Sequence, residues 1–191
     1  MAPIVRREPT PGSPADRQPE ADPEQVARTI LLRRLTAAPR SRSDLRGDLL
    51  KRGIPEDVAD RALDRFVEVG LIDDASYSRM WVESRQRTRG VATSALRQEL
   101  RRKGIEDVLV EAALSGIDPD SERERARQLV RVKARTMSRL DPQVRVRRLV
   151  GMLQRRGYSG AVAYGVVLEV LGDDVAEVGV AGAESFAQAG E

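Results

Sequence analysis

The chain has 191 residues, with 33 basic side chains against 30 acidic ones and neither cysteine nor histidine. These counts exclude disulfide bonds, thiolate or imidazole catalysis and nearly all zinc sites. Hydrophobic residues make up 40% of the chain but aromatic residues only 3%, so the core must be mainly aliphatic. No stretch approaches the roughly 20 apolar residues that span a bilayer, and we expect a cytoplasmic protein without membrane contact.

Residues 1–22 are predicted to form a disordered head, because they hold five prolines and few apolar side chains. A helix is predicted to start at Asp22-Pro23, where an N-cap precedes a proline in the first turn. Ser41 or Ser43 is expected to cap a second helix, and Pro55 to begin a third. The apolar face of the third helix is predicted to carry Val58, Ala62, Leu63, Phe66 and Val67.

One helical phrase occurs three times: leucine, three residues, leucine, one residue, two basic residues, glycine and a large apolar residue. Its copies end at Gly53-Ile54, Gly104-Ile105 and Gly157-Tyr158, so the glycines lie 51 and 53 residues apart. A period near 50 residues is typical of a tandem helical array, in which neighbouring units bury apolar faces together. The sequence therefore predicts an all-α array of three three-helix repeats. The predicted repeats are 23–73, 74–118 and 119–172, followed by an acidic flexible tail at 173–191.

Polar residues are predicted to cap the later helices: Asp73 or Asp74, then Thr93 or Ser94, and finally Ser159. The adjacent carboxylates of Asp73 and Asp74 suggest a metal site, but at a helix start they are better explained as a cap, and no third ligand is evident. No nucleophile motif, acid–base pair or glycine-rich phosphate loop is present. We therefore expect a binding protein rather than an enzyme.

The net charge of +3 conceals an uneven distribution. Residues 123–156 hold twelve basic side chains against two acidic ones, and residues 79–103 hold eight against two, whereas the first repeat is nearly neutral. The distribution of charge says more about partners than the total does. It indicates an anionic partner for the second and third repeats.

Arg127, Arg131 and Arg135 recur every four residues on one predicted helix, with no acidic residue between them. A solvated helix face normally mixes both signs of charge, so we interpret this stripe as a contact for an anionic partner. Arg145, Arg147 and Arg148 on the following helix extend the positive surface.

A pair of basic residues precedes each repeated glycine: Lys51-Arg52, Arg102-Lys103 and Arg155-Arg156. Cations in a last helical turn offset its partial negative charge, by roughly 0.3–1 kcal/mol each. The alternative is an anion contact that recurs along one face of the array. Recurrence does not separate these explanations, because every helix has a C-terminus.

The helix before Gly90 carries Arg85 and Arg89 four residues apart, on one face. Like charges at this spacing repel, so the pair favours an anionic partner. Trp81, one turn earlier, is the only tryptophan. We expect it in the core, and the alternative is an anchor that stacks on a base or fills an interface.

The stretch from Gly70 to Ile105, with its phrases Asp73-Asp74-Ala75-Ser76-Tyr77 and Leu100-Arg101-Arg102-Lys103-Gly104, resembles the signature of the RecX family, regulators of the RecA recombinase. The resemblance runs over roughly residues 24–172, and the third repeat departs furthest from the pattern. It implies an elongated, curved array that binds in the groove of the RecA–DNA filament. It also implies inhibition of ATP hydrolysis, strand exchange and co-protease activity, without a cofactor.

Two functions remain open from the sequence. One is a modulator of the recombinase filament, with single-stranded DNA as an auxiliary contact; the other is a helical protein that binds DNA directly. We expect a monomer, because no long heptad pattern is present. The candidate partner- or DNA-binding residues are Arg79, Arg85, Arg89, Arg101, Arg102, Lys103, Arg127, Arg131, Arg135, Arg145, Arg148, Arg155 and Arg156.

Overall fold

The computed structural model describes residues 22–172, which form nine α-helices and no β-strand. The helices are α1 (Pro23–Ala37), α2 (Arg42–Leu50), α3 (Glu56–Glu68), α4 (Asp74–Arg89), α5 (Thr93–Arg102), α6 (Asp107–Leu114), α7 (Pro119–Arg135), α8 (Pro142–Gln154) and α9 (Gly160–Leu171). The predicted all-α fold of three successive helix triplets is confirmed. The predicted head, apart from Asp22, and the predicted tail lie outside the described residues.

Six helices start at a side chain that accepts a hydrogen bond from a first-turn N–H group, which would otherwise lack a partner within the helix. These caps are Asp22, Ser41, Asp73, Asp118, Asp141 and Ser159. The predicted cap of α5 is wrong, because Ala92 occupies that position and Thr93 is already helical. The N–H and hydroxyl groups of Thr93 instead donate to the carboxylate of Glu122 in α7.

The repeated phrase is the second helix of each repeat together with its ending. The leucine pairs of the three copies, Leu45 and Leu49, Leu96 and Leu100, and Leu149 and Leu153, are fully buried. The glycines that follow, Gly53, Gly104 and Gly157, adopt φ angles of 77°, 69° and 91°. In each copy the N–H of the next residue donates to the carbonyl of the second leucine at 3.2–3.3 Å, and its side chain is buried. This Schellman ending turns the chain back into the core.

The first of two compact units ends at Ile72 and contains α1–α3. Its core is aliphatic and centres on Leu31 and Leu63, which are fully buried. The predicted apolar face of α3 is wrong at Val67, which is 44% exposed, while Ala59 is fully buried. Buried positions on α3 follow the three- and four-residue spacing of one helix face, and Val67 lies beside that face.

The second compact unit begins at Asp73 and contains α4–α9. It holds two clusters of buried side chains, one centred on α4–α6 and the other on α7–α9. Ala92, in the loop before α5, belongs to the cluster of the third repeat. The second and third repeats therefore share a packed boundary, and this boundary positions the candidate site.

Candidate functional site

A cavity of about 580 Å³ lies where the ends of α4, α5 and α8 meet, between the second and third repeats. Four arginines line it: Arg89, Arg102, Arg155 and Arg156. Among the described residues that line the cavity, Glu99 is the one acidic side chain, and Ser94, Gln98 and Gln154 add neutral polar groups. We call this cavity the basic groove.

All four arginines of the basic groove belong to the set predicted from the sequence, but the sequence did not place them together. Each lies at or just after the C-terminal end of a helix. Arg102 directs its Nε to the carbonyl of Gln98, at 3.3 Å, and so offsets some of the negative charge of its own helix end. Arg155 is exposed at the mouth of the groove. Two of the three basic pairs thus contribute arginines to one positive surface, whereas Lys51 and Arg52 lie in the other compact unit.

A set of hydrogen bonds, which we call the junction, joins the two repeats beside the groove. The N–H of Ala92 donates to the carbonyl of Arg156 at 2.8 Å, and the Nε of Arg156 donates to the carbonyl of Arg89 at 2.9 Å. The hydroxyl of Tyr158 donates to the carbonyl of Gly90 at 3.2 Å. Because these bonds use backbone groups of both helix ends, they hold the arginines at a defined spacing.

Gly157 is required at the junction for two reasons. Its φ of 91° is one that L side chains rarely adopt. A Cβ at this position would also lie 2.4 Å from the Cβ of Ala95 and 2.9 Å from the Ala95 backbone nitrogen. The ending of α8 therefore packs directly on the first turn of α5, which brings the two basic helix ends together.

Tyr158 is the buried polar group of the junction. Burial, with a smaller contribution from the negative charge of Glu122, raises the pKa of the Tyr158 hydroxyl to about 12. The hydroxyl therefore keeps its proton at physiological pH and remains a donor to Gly90.

Trp81 lies next to the groove and is half-buried against the cluster of the second repeat. Its Nε1 donates to Oε2 of Glu99 at 2.8 Å, and Nε of Arg85 lies 2.9 Å from the same oxygen. The guanidinium of Arg85 is 4.3 Å from the indole centroid, and Nζ of Lys103 is 4.8 Å from it. The predicted core position is thus correct only in part, because the indole lies at the edge of the core under two cations.

Two of the three arginines in the stripe on α7 form ion pairs within the chain. Nε of Arg127 donates to Glu169 of α9 at 2.7 Å, and the same guanidinium reaches Glu124 at 3.1 Å. This guanidinium holds the pKa of Glu169 below its usual range. Arg131 also pairs with Glu124, at 3.3 Å. The expectation of a face with one sign of charge is therefore wrong at these two positions, while Arg135 is exposed at the end of α7.

The other predicted residues are dispersed. Arg79 donates to the hydroxyl of Ser76 at 2.8 Å, and Arg101 pairs with Asp107 at 2.8 Å. Arg145 is half-buried at the start of α8. The structure does not bring these three residues into the basic groove.

Arg148 lines a second cavity of about 510 Å³ at the turn from α7 to α8, together with Lys133 and Arg139. Lys133 and Arg139 are not among the candidates predicted from the sequence, because neither falls on the four-residue stripe of α7. The signal that could have found them is the run of basic residues through the turn itself.

The first repeat is electrostatically balanced. Arg46 pairs with Asp60 at 2.8 Å and with Glu56 at 3.2 Å, and Arg42 pairs with Asp64 at 2.6 Å. The hydrogen bond from Arg46 holds the pKa of Asp60 below its usual range. By contrast, the basic groove and the cavity at the α7–α8 turn both belong to the second compact unit.

Within residues 22–172, no group of three or more acidic, histidine or cysteine side chains is arranged to hold a metal ion. Asp73 acts as a helix cap, as predicted, and accepts from the N–H of Ser76 at 2.9 Å. In the same part of the chain no helix is long and apolar enough to cross a membrane.

Three family models match the chain, one for each helix triplet. Residues 27–66 match the first three-helix domain of RecX, residues 73–114 the second and residues 120–167 the third. The matches follow the three repeats that the recurring phrase predicted.

Curated relatives described as "Regulatory protein RecX" cover most of the chain. The protein from Streptomyces lividans is 46% identical over 88% of this chain and 90% of its own length. The protein from Thermobifida fusca is 47% identical over 83% of this chain and 87% of its own, and that from Mycobacterium ulcerans is 49% identical over 80% and 88%.

Two crystal structures have a similar fold. A regulatory protein RecX shares 26% identity with a TM-score of 0.66, covering 78% of this chain and 73% of its own. RecX from Lactobacillus salivarius has a TM-score of 0.67 at 21% identity, over 78% of this chain and 97% of its own. With three family models in order and relatives above 45% identity over most of its length, the chain belongs to the RecX family.

Proposed function

We propose that the protein binds the RecA–single-stranded DNA filament and inhibits its ATPase, strand-exchange and co-protease activities. The observation that carries this proposal is the basic groove, in which four arginines from three helix ends line one cavity. Membership of the RecX family supports a regulatory role, since its members are described as regulatory proteins.

The chemistry of the groove suits the anions of such a filament. An arginine fork binds a phosphate or carboxylate through two parallel hydrogen bonds. A nucleoprotein filament presents both kinds of anion, on its DNA backbone and on acidic protein side chains. The junction holds the groove arginines at a defined spacing, so binding them requires little ordering of the backbone.

The remaining candidate residues divide into two groups under this proposal. Arg135 and Arg148 would form a secondary basic contact around the end of α7 and the start of α8, and the half-buried Arg145, which has an interaction within the chain, would support it. Arg79, Arg85, Arg101, Lys103, Arg127 and Arg131 have contacts within the chain and would act mainly by supporting the surface. The protein would act in the cytoplasm, as a monomer, without a cofactor and without catalysing a reaction.

The test is the single-stranded-DNA-dependent ATPase rate of the cognate recombinase as the protein is titrated in. We expect loss of activity at amounts well below those of recombinase and DNA, because one ligand on a filament affects many protomers. Arg155→Glu should raise the amount needed for half-inhibition by about tenfold or more. The matched control is Arg33→Glu, which makes the same charge change at an exposed position on α1. No inhibition by the unmodified protein would contradict the proposal.

Direct binding to DNA is the second candidate, and the cavity at the α7–α8 turn favours it. Lys133, Arg139 and Arg148 line that cavity without an acidic residue among its described lining. Three phosphate contacts on single-stranded DNA, one for each of these cations, would weaken binding about 20-fold between 50 and 200 mM salt. Two results together would favour direct DNA binding over binding to the filament. Inhibition would require enough protein to coat the DNA, and it would disappear over this range of salt.

A further inference from the structure

The first repeat carries an exposed apolar cavity of about 260 Å³ between α1 and α3. Its apolar lining consists of Leu32, Ala62, Phe66, Val69 and Leu71. Val69 is 69% exposed, Leu71 52% and Leu32 43%. Single exposed apolar residues are ordinary, whereas these five line one concavity of the kind that receives an anchor side chain of a partner. We call this cavity the apolar pocket.

The exposure of Leu71 is not forced by the fold. Gly70 ends α3 with a φ of 72°, and the N–H groups of Leu71 and Ile72 both donate to the carbonyl of Phe66. Ile72 is the residue that turns back into the core, where it is 3% exposed. The helix ending therefore does not require an apolar residue at position 71. Leu71 nevertheless presents a large apolar side chain at the pocket.

The rim of the apolar pocket is positively charged, in contrast to the balanced surface of the rest of the first repeat. It carries Arg28, Arg61 and Arg65 against a single glutamate, Glu24, among the described lining residues. The side chain of Arg65 is 78% exposed and reaches Glu24 only at 4.0 Å. Arg61 is shared between Asp57 at 2.8 Å and Glu24 at 3.5 Å. The rim thus has guanidinium groups available to carboxylates of a partner.

We propose that the apolar pocket is a docking site for an acidic amphipathic helix of a partner protein. A volume of about 260 Å³ accommodates one large side chain, such as the leucine or aromatic anchor that usually dominates a helix-in-groove interface. Carboxylates one turn before and after the anchor would meet Arg28 and Arg65. This docking site requires no nucleic acid and does not rest on the filament proposal.

The test uses the full chain and two synthetic amphipathic helical peptides, one with glutamates beside its leucine anchors and one with lysines in their place. Binding is measured by fluorescence anisotropy, and the site is mapped by backbone amide shifts. We expect the acidic peptide to bind at least tenfold more tightly than the basic one, with the shifts concentrated at Leu32, Val69 and Leu71.

Leu71→Asp should weaken the acidic peptide at least tenfold. The matched control is Val108→Asp, which changes a 69% exposed residue of α6 and should leave binding unchanged. Circular dichroism of both variants serves as the control that their helix content is unchanged.

Three outcomes would overturn the proposal. The first is equal binding of the two peptides, or none at millimolar concentration. The second is displacement of the acidic peptide by a peptide of residues 173–191, which would assign the pocket to this chain itself. The third is self-association that Leu71→Asp abolishes, which would assign the pocket to a second copy. Because these measurements contain neither RecA nor DNA, their failure is distinguishable from failure of the filament proposal.

Discussion

The hydroxyl of Tyr158 donates a hydrogen bond to the carbonyl of Gly90, across 68 residues of chain and 3.2 Å of space. Both residues follow the end of a helix, α8 and α4 respectively. The bond joins the second repeat to the third next to the four arginines of the basic groove. Under the proposed function, the stability of this contact and the affinity of the groove for anions are therefore expected to change together.

The raised pKa of Tyr158 predicts that the free energy of unfolding falls at alkaline pH. Its pKa is raised from 10 to about 12 in the folded protein, so between these values the unfolded chain loses a proton that the folded chain retains. The free energy of unfolding contributed by Tyr158 is fully present below pH 10 and is lost as pH rises towards 12. In urea titrations across this range, Tyr158→Phe should flatten the decline.

Tyr164→Phe, which changes a half-buried tyrosine of α9, is the matched control for Tyr158→Phe. At neutral pH, Tyr158→Phe should also cost about 1–2 kcal/mol, because the buried carbonyl of Gly90 loses its donor. An unchanged alkaline decline in Tyr158→Phe would contradict the assignment.

Gly157→Ala should be more destabilising than Gly53→Ala. Both glycines have positive φ angles, 91° and 77°, so alanine at either position costs about 1–2 kcal/mol of backbone strain. Only at Gly157 would the new methyl group collide with Ala95, whereas nothing lies within 4 Å of a Cβ at Gly53. We expect an additional loss of about 1–3 kcal/mol from that overpacking, measured by urea denaturation. Equal losses would mean that the two repeats do not pack closely at this point.

Trp81→Ala should cost less than about 3 kcal/mol, since truncation of a buried tryptophan typically costs about 3–5 kcal/mol and this indole is only half-buried. Leu96→Ala provides the comparison, because Leu96 is fully buried in the same repeat, and we expect about 2–5 kcal/mol there. Both values come from chemical denaturation followed by circular dichroism. A loss for Trp81→Ala above that for Leu96→Ala would show that the indole and its cations contribute more than its burial indicates.

Charge reversal should separate structural from partner-facing arginines on α7. Arg127→Glu places a carboxylate beside Glu169 and Glu124, so the melting temperature should fall. Arg135→Glu changes an exposed residue at the helix end and should leave the melting temperature unchanged while it weakens binding to single-stranded DNA at low salt. The two measurements are thermal melts and fluorescence anisotropy. If both variants lose stability equally, the distinction between these arginines is wrong.

The repeated phrase could be found from the sequence because its chemistry is local. Leu96 and Leu100 lie on one helix face, and Gly104 and Ile105 complete an ending whose hydrogen bonds span only five residues. The same local logic predicted the caps at Asp22 and Ser159. It failed at α5, because the partner of Thr93 is Glu122, 29 residues later.

The composition of the candidate site depended on contacts that no local pattern reports. Arg89 and Arg156 were both candidates, but they meet at one groove because the turn after α8 packs against the start of α5. No acid lies between Arg127 and Arg135 in the sequence, which predicts a stripe with one sign of charge. In the structure Arg127 pairs with Glu124, one turn before it, and with Glu169, 42 residues away. Charge runs therefore pointed to the part of the chain that contains both basic cavities, and tertiary packing decided which of its cations form ion pairs within the chain.

The junction joins main-chain groups of Arg89, Gly90, Ala92 and Arg156 with the side chains of Arg156 and Tyr158. Arg102 and Arg155 line the groove without forming any of these bonds. At these two positions the charge of the groove is therefore separate from its support, whereas Arg156 contributes to both. Substitutions at Arg102 and Arg155 can alter the charge and selectivity of the surface while the two repeats keep their mutual orientation. A different pattern of charge can therefore be built on this surface without redesigning the helical framework.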